Sequence, residues 1–243
     1  RYSDNFNPAT ENSIESIFEV QYESDGGYGF FSDENQASWT SPFMGPRGSV
    51  FVAGAYGWNQ PTQEFMDSYE PDDTRKDATI LYGGGPDFDG NIYDPAFSLT
   101  GYNVRKFLVP LSFTASYDNS PLNFPVLRFA DVLLMKAEAL NELGQTDQAE
   151  IPLNRVRKRA GLPNIAPGLD TSSFKESVLH ERRMEMAFEG QRWFDLIRVN
   201  NGQYALDFLH SIGKTNASEK HLLFPIPQIE IDRSPQLTQN PGY

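Results

Sequence analysis

The stretch that most restricts this chain is residues 126–143. Phe129, Leu133, Ala137 and Leu140 recur at helical spacing, and Ala130, Leu134 and Met135 widen the stripe. A helix that is apolar around most of its circumference has to be buried. Gly144 ends it, and Thr146 opens a second helix predicted to reach Ala160, with Ala149, Leu153, Val156 and Ala160 on its inner face. Pro152 is expected to kink that helix or delay its regular start, because proline removes one intrahelical bond and crowds the preceding turn. So short a connection makes the two helices antiparallel neighbours, and Ala137, Ala139 and Ala149 are small where they would meet.

Such a pair is similar to one tetratricopeptide unit, which cannot bury its own faces alone. No second copy is visible in the sequence. Either the loops and later helices cover the pair, or its stacking partners belong to a missing N-terminal half.

A third helix is expected from Thr171, Ser172 and Ser173, which offer N-caps, with Glu176 completing a capping box on Ser173. It leads into residues 180–198, predicted as two helices broken at Gly190. There Glu181, Glu185 and Glu189 recur every four residues, with Arg182 and Arg183 beside them. Arg192, Asp195 and Arg198 follow every three. These spacings put opposite charges within reach on a helix. Met184, Met186, Phe188, Trp193, Phe194, Leu196 and Ile197 are interleaved. The stretch reads either as a polar active site or as an ion-pair clamp of Glu181, Arg182, Glu185, Glu189, Arg192 and Asp195. The clamp is preferred because structural networks far outnumber catalytic ones. A short helix at 205–212, an extended segment at 221–227 and a polar tail at 228–243 complete this part.

The first half reads differently. Residues 16–22 alternate apolar and polar and predict a strand, and residues 78–82 predict a second. Residues 61–69 form a short helix with Pro61 in its first turn, followed by a polar turn at 72–77. Between Asp25 and Gln60 the pattern dissolves into Gly, Ser, Pro and Asn among Tyr28, Phe31, Trp39, Phe43, Phe51, Tyr56 and Trp58. A connection this long is usually functional or disordered, and this one is too aromatic for disorder. The expected fold class is mainly α: a helix hairpin plus long irregular loops and a few short strands. Residues 1–123 form the loop-rich part and residues 124–243 the helical part of one contiguous fold.

Composition removes several function classes. The net charge of −13 argues against nucleic acid, since such binders cluster Lys and Arg to replace counterions. The absence of Cys excludes disulfides, thiolate metal sites and Cys nucleophiles. No apolar run approaches the roughly 20 residues of a membrane span. The chain begins abruptly at Arg1 in a polar segment, so a natural N-terminus is expected to have been removed. Asp87, Asp89, Asn91 and Asp94 place oxygen ligands around Gly90, which suggests a Ca²⁺ loop. The loop departs from the EF-hand, and a solvated turn rich in Asp and Gly is the commoner arrangement. Gly83, Gly84 and Gly85 do not make a phosphate loop: no Lys-Ser/Thr follows, and Pro86 lacks an amide donor.

The residues also resemble a known family. The run 127–144, the run 153–163, the charged stretch 181–198, Phe224-Pro225-Ile226-Pro227 and the terminal Gln239-Asn240-Pro241-Gly242-Tyr243 are similar, in this order, to motifs of the SusD/RagB family. The resemblance implies a SusD-like fold and an outer-membrane lipoprotein of Bacteroidetes. Such a protein captures nutrient glycans at the cell surface, caps a SusC-like TonB-dependent transporter, is not an enzyme and needs no cofactor. It also implies that this chain is the C-terminal half. The family's signal peptide, lipidated Cys and further helix pairs would then precede it.

A glycan binder stacks sugar faces on aromatic planes and adds a few polar hydrogen bonds. Trp39 and Trp58 are the first candidates, followed by Tyr28, Phe31 and Tyr56, with Arg47 and Asn59 as polar partners. The same rings would equally pin a long loop to the core. Two other functions compete: a transporter-docking module that binds no ligand in this half, and a glycoside hydrolase. The hydrolase needs a defined carboxylate pair, and among 33 Asp and Glu residues some pair is always available.

Overall fold

The computed structural model describes residues 1–24, 32–114, 116 and 119–243. They form two compact units, residues 1–189 and residues 190–243. The first is mainly helical with a few short strands. In chain order its elements are β1 (Ser16–Val20), α1 (Thr40–Met44), α2 (Gln63–Asp67), α3 (Arg75–Thr79), β2 (Ile80–Tyr82), β3 (Tyr102–Val104), β4 (Phe124–Arg128), α4 (Phe129–Glu142), α5 (Thr146–Arg159) and α6 (Thr171–Glu185).

The helix hairpin is α4 and α5, turned at Gly144, whose φ of +73° suits a residue without Cβ. Ala130, Leu134 and Ala137 of α4 meet Ala149, Leu153 and Val156 of α5. Phe174 and Val178 of α6 close the third side. Thus α6 covers one face of the hairpin within this chain. Residues 126–128, predicted as the first turn of the helix, instead end a strand. Phe124–Arg128 pairs antiparallel with Ser16–Val20, and Phe129 donates its N–H to the Glu15 carbonyl at 2.8 Å. This pairing overrides the helical periodicity and crosses the boundary expected near residue 124. Residues 72–77, expected as a turn, run into α3. The N-cap of α6 is Asp170, whose Oδ1 accepts the Ser173 N–H at 2.8 Å, so the predicted Ser173 cap is displaced by three residues.

Helix α6 also ends earlier than expected. It stops at Glu185, and Phe188 adopts a left-handed φ of +64°. Glu189 therefore sits on the turn after the helix, and the turn aims its carboxylate back at the cations facing Glu185. Those cations come from outside the stretch that carries the acids. Glu185 meets Arg128 at 2.8 Å, Arg159 at 2.6 Å and Arg75 at 3.1 Å. Glu181 meets Arg75 at 2.6 Å and Arg157 at 3.1 Å. Glu189 meets Arg128 at 2.6 Å and pairs with Lys106. Asp73, Glu15 and Glu70 close the outer edges on Arg75, Arg128 and Arg157. Arg182 reaches Asp131 of α4 at 2.7 Å, and Arg183 reaches Glu64 of α2 at 2.5 Å.

The network also caps a helix end. The last carbonyls of a helix lack intrahelical donors and carry partial negative charge. The Glu185 carbonyl accepts from Lys106 Nζ at 3.2 Å, from Arg128 Nη2 at 3.1 Å and from the Tyr2 hydroxyl at 3.1 Å. Burial alone would raise the Glu185 carboxyl, but Arg128, Arg159 and Arg75 outweigh it and hold it well below the usual range. Glu181 goes the other way: burial wins over Arg75 and Arg157 and pushes it up. Burial also brings the Lys106 amine down to about 8 against the pull of Glu189.

The second unit holds α7 (Arg192–Arg198), α8 (Gln203–Ser211) and α9 (Gln228–Arg233). Asp195 accepts from Arg198 at 2.9 Å, and the Arg192 guanidinium lies 5.0 Å from the Phe208 ring centre. The tail expected to be merely polar contains α9 and then folds back. The Gln239 amide donates to the Ile226 carbonyl at 2.9 Å and accepts its N–H at 2.8 Å, as a paired strand would. Asn240 and Tyr243 donate to the carbonyls of Phe224 and Leu223.

Arg128→Ala removes the cation that the buried Glu185 and Glu189 share and should cost about 3–5 kcal/mol in denaturant unfolding. Arg183→Ala, whose partner Glu64 is only partly buried, should cost less, about 1 kcal/mol. Because the folded Glu185 carboxyl titrates below its unfolded value, the unfolded chain takes up that proton first on acidification. The stability Glu185 contributes is therefore present at neutral pH and is lost below about pH 5. A melting-temperature series against pH should show that fall, and Glu185→Gln should flatten it.

Candidate functional site

The aromatic loop is built on α1. Trp39 and Phe43 lie four residues apart, one helical turn, so their rings meet at 5.8 Å. The last carbonyls of so short a helix need donors. Residues 56–58 supply them: Tyr56 N–H reaches the Pro42 carbonyl and Trp58 N–H the Phe43 carbonyl, both at 2.8 Å, and Gly57 N–H reaches the Gly45 carbonyl at 2.8 Å. This ladder lays Trp58 flat on Phe43, with ring centres 4.6 Å apart and planes 15° apart. Tyr56 leans on both, 5.8 Å from each.

The loop between these contacts points the opposite way. Phe51, Val52 and Ala55 are buried with Leu81, Phe88, Tyr93 and Leu108. Burial thus divides the rings. Phe51 anchors the loop, whereas Trp58 is 57% and Tyr56 37% exposed, and Trp39 is partly buried. Arg47 and Asn59 are exposed. Arg47 runs beside Gly57, where an added Cβ would lie 3.2 Å from its own. The result is a pair of outward rings on a common support, tilted 46° to each other, with polar groups beside them.

Of the candidates read from sequence, Trp39, Tyr56 and Trp58 are brought together, and Arg47 and Asn59 stand on the same loop. Tyr28 and Phe31 lie outside the described residues. Phe43, not among those candidates, is the ring on which Trp58 stacks. Its signal was the four-residue spacing from Trp39. Side chains of the acidic loop are engaged in local hydrogen bonds. Asp94 caps the following turn by accepting the Ala96 N–H at 2.9 Å, Asp89 accepts the Ser112 hydroxyl at 2.7 Å, and Asn91 donates to the Asp89 carbonyl at 3.1 Å. Among the described residues no three His, Cys, Asp or Glu side chains are grouped to hold a metal ion. Glu185, held ionised by three guanidiniums, is a poor proton donor for general acid catalysis.

Residues 14–243 match the profile of the SusD family. The chain belongs to that family. SusD-like protein P25 of Formosa agariphila is 28% identical over the whole of this chain, which spans 52% of that relative. Surface glycan-binding protein A from Bacteroides thetaiotaomicron superposes with a TM-score of 0.77 at 26% identity, covering 100% of this chain and 55% of that one. The same protein in complex with laminarihexaose gives a TM-score of 0.73 at 26% identity, over 98% of this chain and 54% of that one. The chain thus spans about half the length of these SusD-family relatives. No described helix is long and apolar enough to cross a membrane.

The loop's support can be checked directly. A Cβ on Gly45 would lie 2.1 Å from Val52 Cγ2. Gly45→Ala should therefore overpack the loop at a cost of about 1–3 kcal/mol and reduce the near-ultraviolet circular dichroism of the Trp58–Phe43 stack.

Proposed function

We propose that this chain is part of a non-catalytic glycan-binding protein of the bacterial cell surface, and that the Tyr56–Trp58 platform is where it holds sugar. The observation that carries the reading is Trp58, more than half exposed yet stacked on Phe43. An exposed Trp held rigid offers a sugar face a large apolar plane at small entropic cost. Structural likeness to a surface glycan-binding protein seen with laminarihexaose supports the ligand class. In this reading the protein is held at the outer membrane by an N-terminal lipid and passes glycan to a SusC-like TonB-dependent transporter. A docking role has its own support in the exposed Ile14, Ile17, Phe18 and Val20 around β1, since clustered exposed apolar side chains mark protein contacts.

Affinity electrophoresis through laminarin, starch, xylan or galactomannan tests the reading. At least one polysaccharide should retard the wild-type protein. Trp58→Ala should weaken that retardation about tenfold or more, with an unchanged melting temperature, in line with the loss of a central aromatic anchor. Retardation by none of them, or full retardation of Trp58→Ala, would overturn it.

A further inference from the structure

A second cleft lies within the same unit. It holds about 370 Å³ and is lined by Gln63 and Asp67 of α2, Lys76 of α3, Tyr82 of β2, and Thr100 and Tyr102 at the start of β3. The Tyr102 hydroxyl donates to Gln63 Oε1 at 2.7 Å, and Gln63 Nε2 donates to Asp67 Oδ1 at 2.7 Å. One wall is therefore a line of phenol, amide and carboxylate. Lys76 Nζ stands 4.8 Å from the Tyr82 ring centre, and the Tyr82 hydroxyl donates to Asp77 at 2.5 Å. The glycine run that made no phosphate loop shapes the rim. A Cβ on Gly83 would lie 2.9 Å from Pro95 Cγ, and one on Gly85 would lie 2.9 Å from the Tyr82 ring.

The cleft and the platform are joined. Gln60 donates to the Gly57 carbonyl at 3.1 Å and accepts the Leu99 N–H at 3.2 Å. The end of the platform is thereby tied to the loop that carries Thr100 and Tyr102. Trp58 and Gln63 are five residues apart in sequence, so they lie within about 18 Å of each other. A short oligosaccharide is long enough to reach from one to the other across that limit.

We propose that this cleft is a second subsite of the same surface, and that the ligand is a neutral glycan chain laid from Trp58 across the Gln60–Leu99 bridge onto Gln63, Lys76 and Tyr102. The inference rests on the platform binding glycan. The two sites divide the chemistry. Trp58 takes an apolar sugar face, and the cleft offers the ammonium, amide, carboxylate and phenol that match a ring's hydroxyls. The net charge of −13 disfavours an anionic chain.

The test compares wild type, a Gln63→Ala/Lys76→Gln double variant and Tyr102→Phe. These changes lie at the surface or keep the ring, and melting temperatures verify folding. The proteins are run through laminarin, starch, xylan or galactomannan. A disaccharide and a hexasaccharide cut from whichever polysaccharide retards the wild type are then titrated by calorimetry. The hexasaccharide should bind wild type about tenfold more tightly than the disaccharide, and the double variant should lose about that factor for the hexasaccharide alone. Tyr102→Phe should lose part of it. Equal affinities for the two lengths, or full hexasaccharide affinity in the double variant, would overturn the second subsite and leave the platform standing. Retardation of wild type by no polysaccharide would overturn the platform and this subsite together.

Discussion

The first unit depends on a buried convergence of charge at the end of α6. Arg75 opens α3, Lys106 follows β3, Arg128 ends β4, and Arg157 and Arg159 lie in the last turn of α5. All turn toward Glu181, Glu185 and Glu189. Taking these groups out of water is expensive, and their mutual attraction offsets that cost only when every partner is in place. The network is therefore less a source of net stability than a condition on geometry. A strand or helix displaced by a residue would leave a bare charge inside the protein.

That condition reaches the aromatic loop through the chain itself. Strand β2 follows directly from the helix that begins at Arg75, and β3 runs straight into Lys106. The two strands pair through Ile80 with Val104 and Tyr82 with Tyr102. Leu81 and Leu108, fixed by the same segments, form the floor on which Phe51 and Ala55 rest. The loop thus has an apolar support positioned by residues whose charges are already committed elsewhere.

The sequence carried some of this and concealed the rest. The hairpin of α4 and α5 was readable because its periodicity is local and its turn needs Gly144. The start of α4 was not, since pairing with Ser16–Val20 is a contact across more than a hundred residues and leaves no periodic mark. The acidic row was legible through its four-residue spacing, but three of its cations, Arg75, Lys106 and Arg128, come from distant segments. Those side chains are fully buried only because they are paired, whereas composition alone treats Arg and Lys as surface residues. Among the loop aromatics, side-chain type suggested stacking without saying which rings face out. The ladder from residues 56–58 onto α1 decides that, and backbone hydrogen bonds of irregular loops have no sequence period.

The division of the loop into an inward and an outward set has a consequence for how such a surface diversifies. Phe51, Val52 and Ala55 carry the attachment to the core, and the residues 56–58 ladder is made by main-chain groups. The identities of the outward side chains are thus largely uncoupled from folding. A lineage can exchange Tyr56, Trp58 or Arg47 and alter what is held there while the scaffold beneath remains the same solution to the same packing problem.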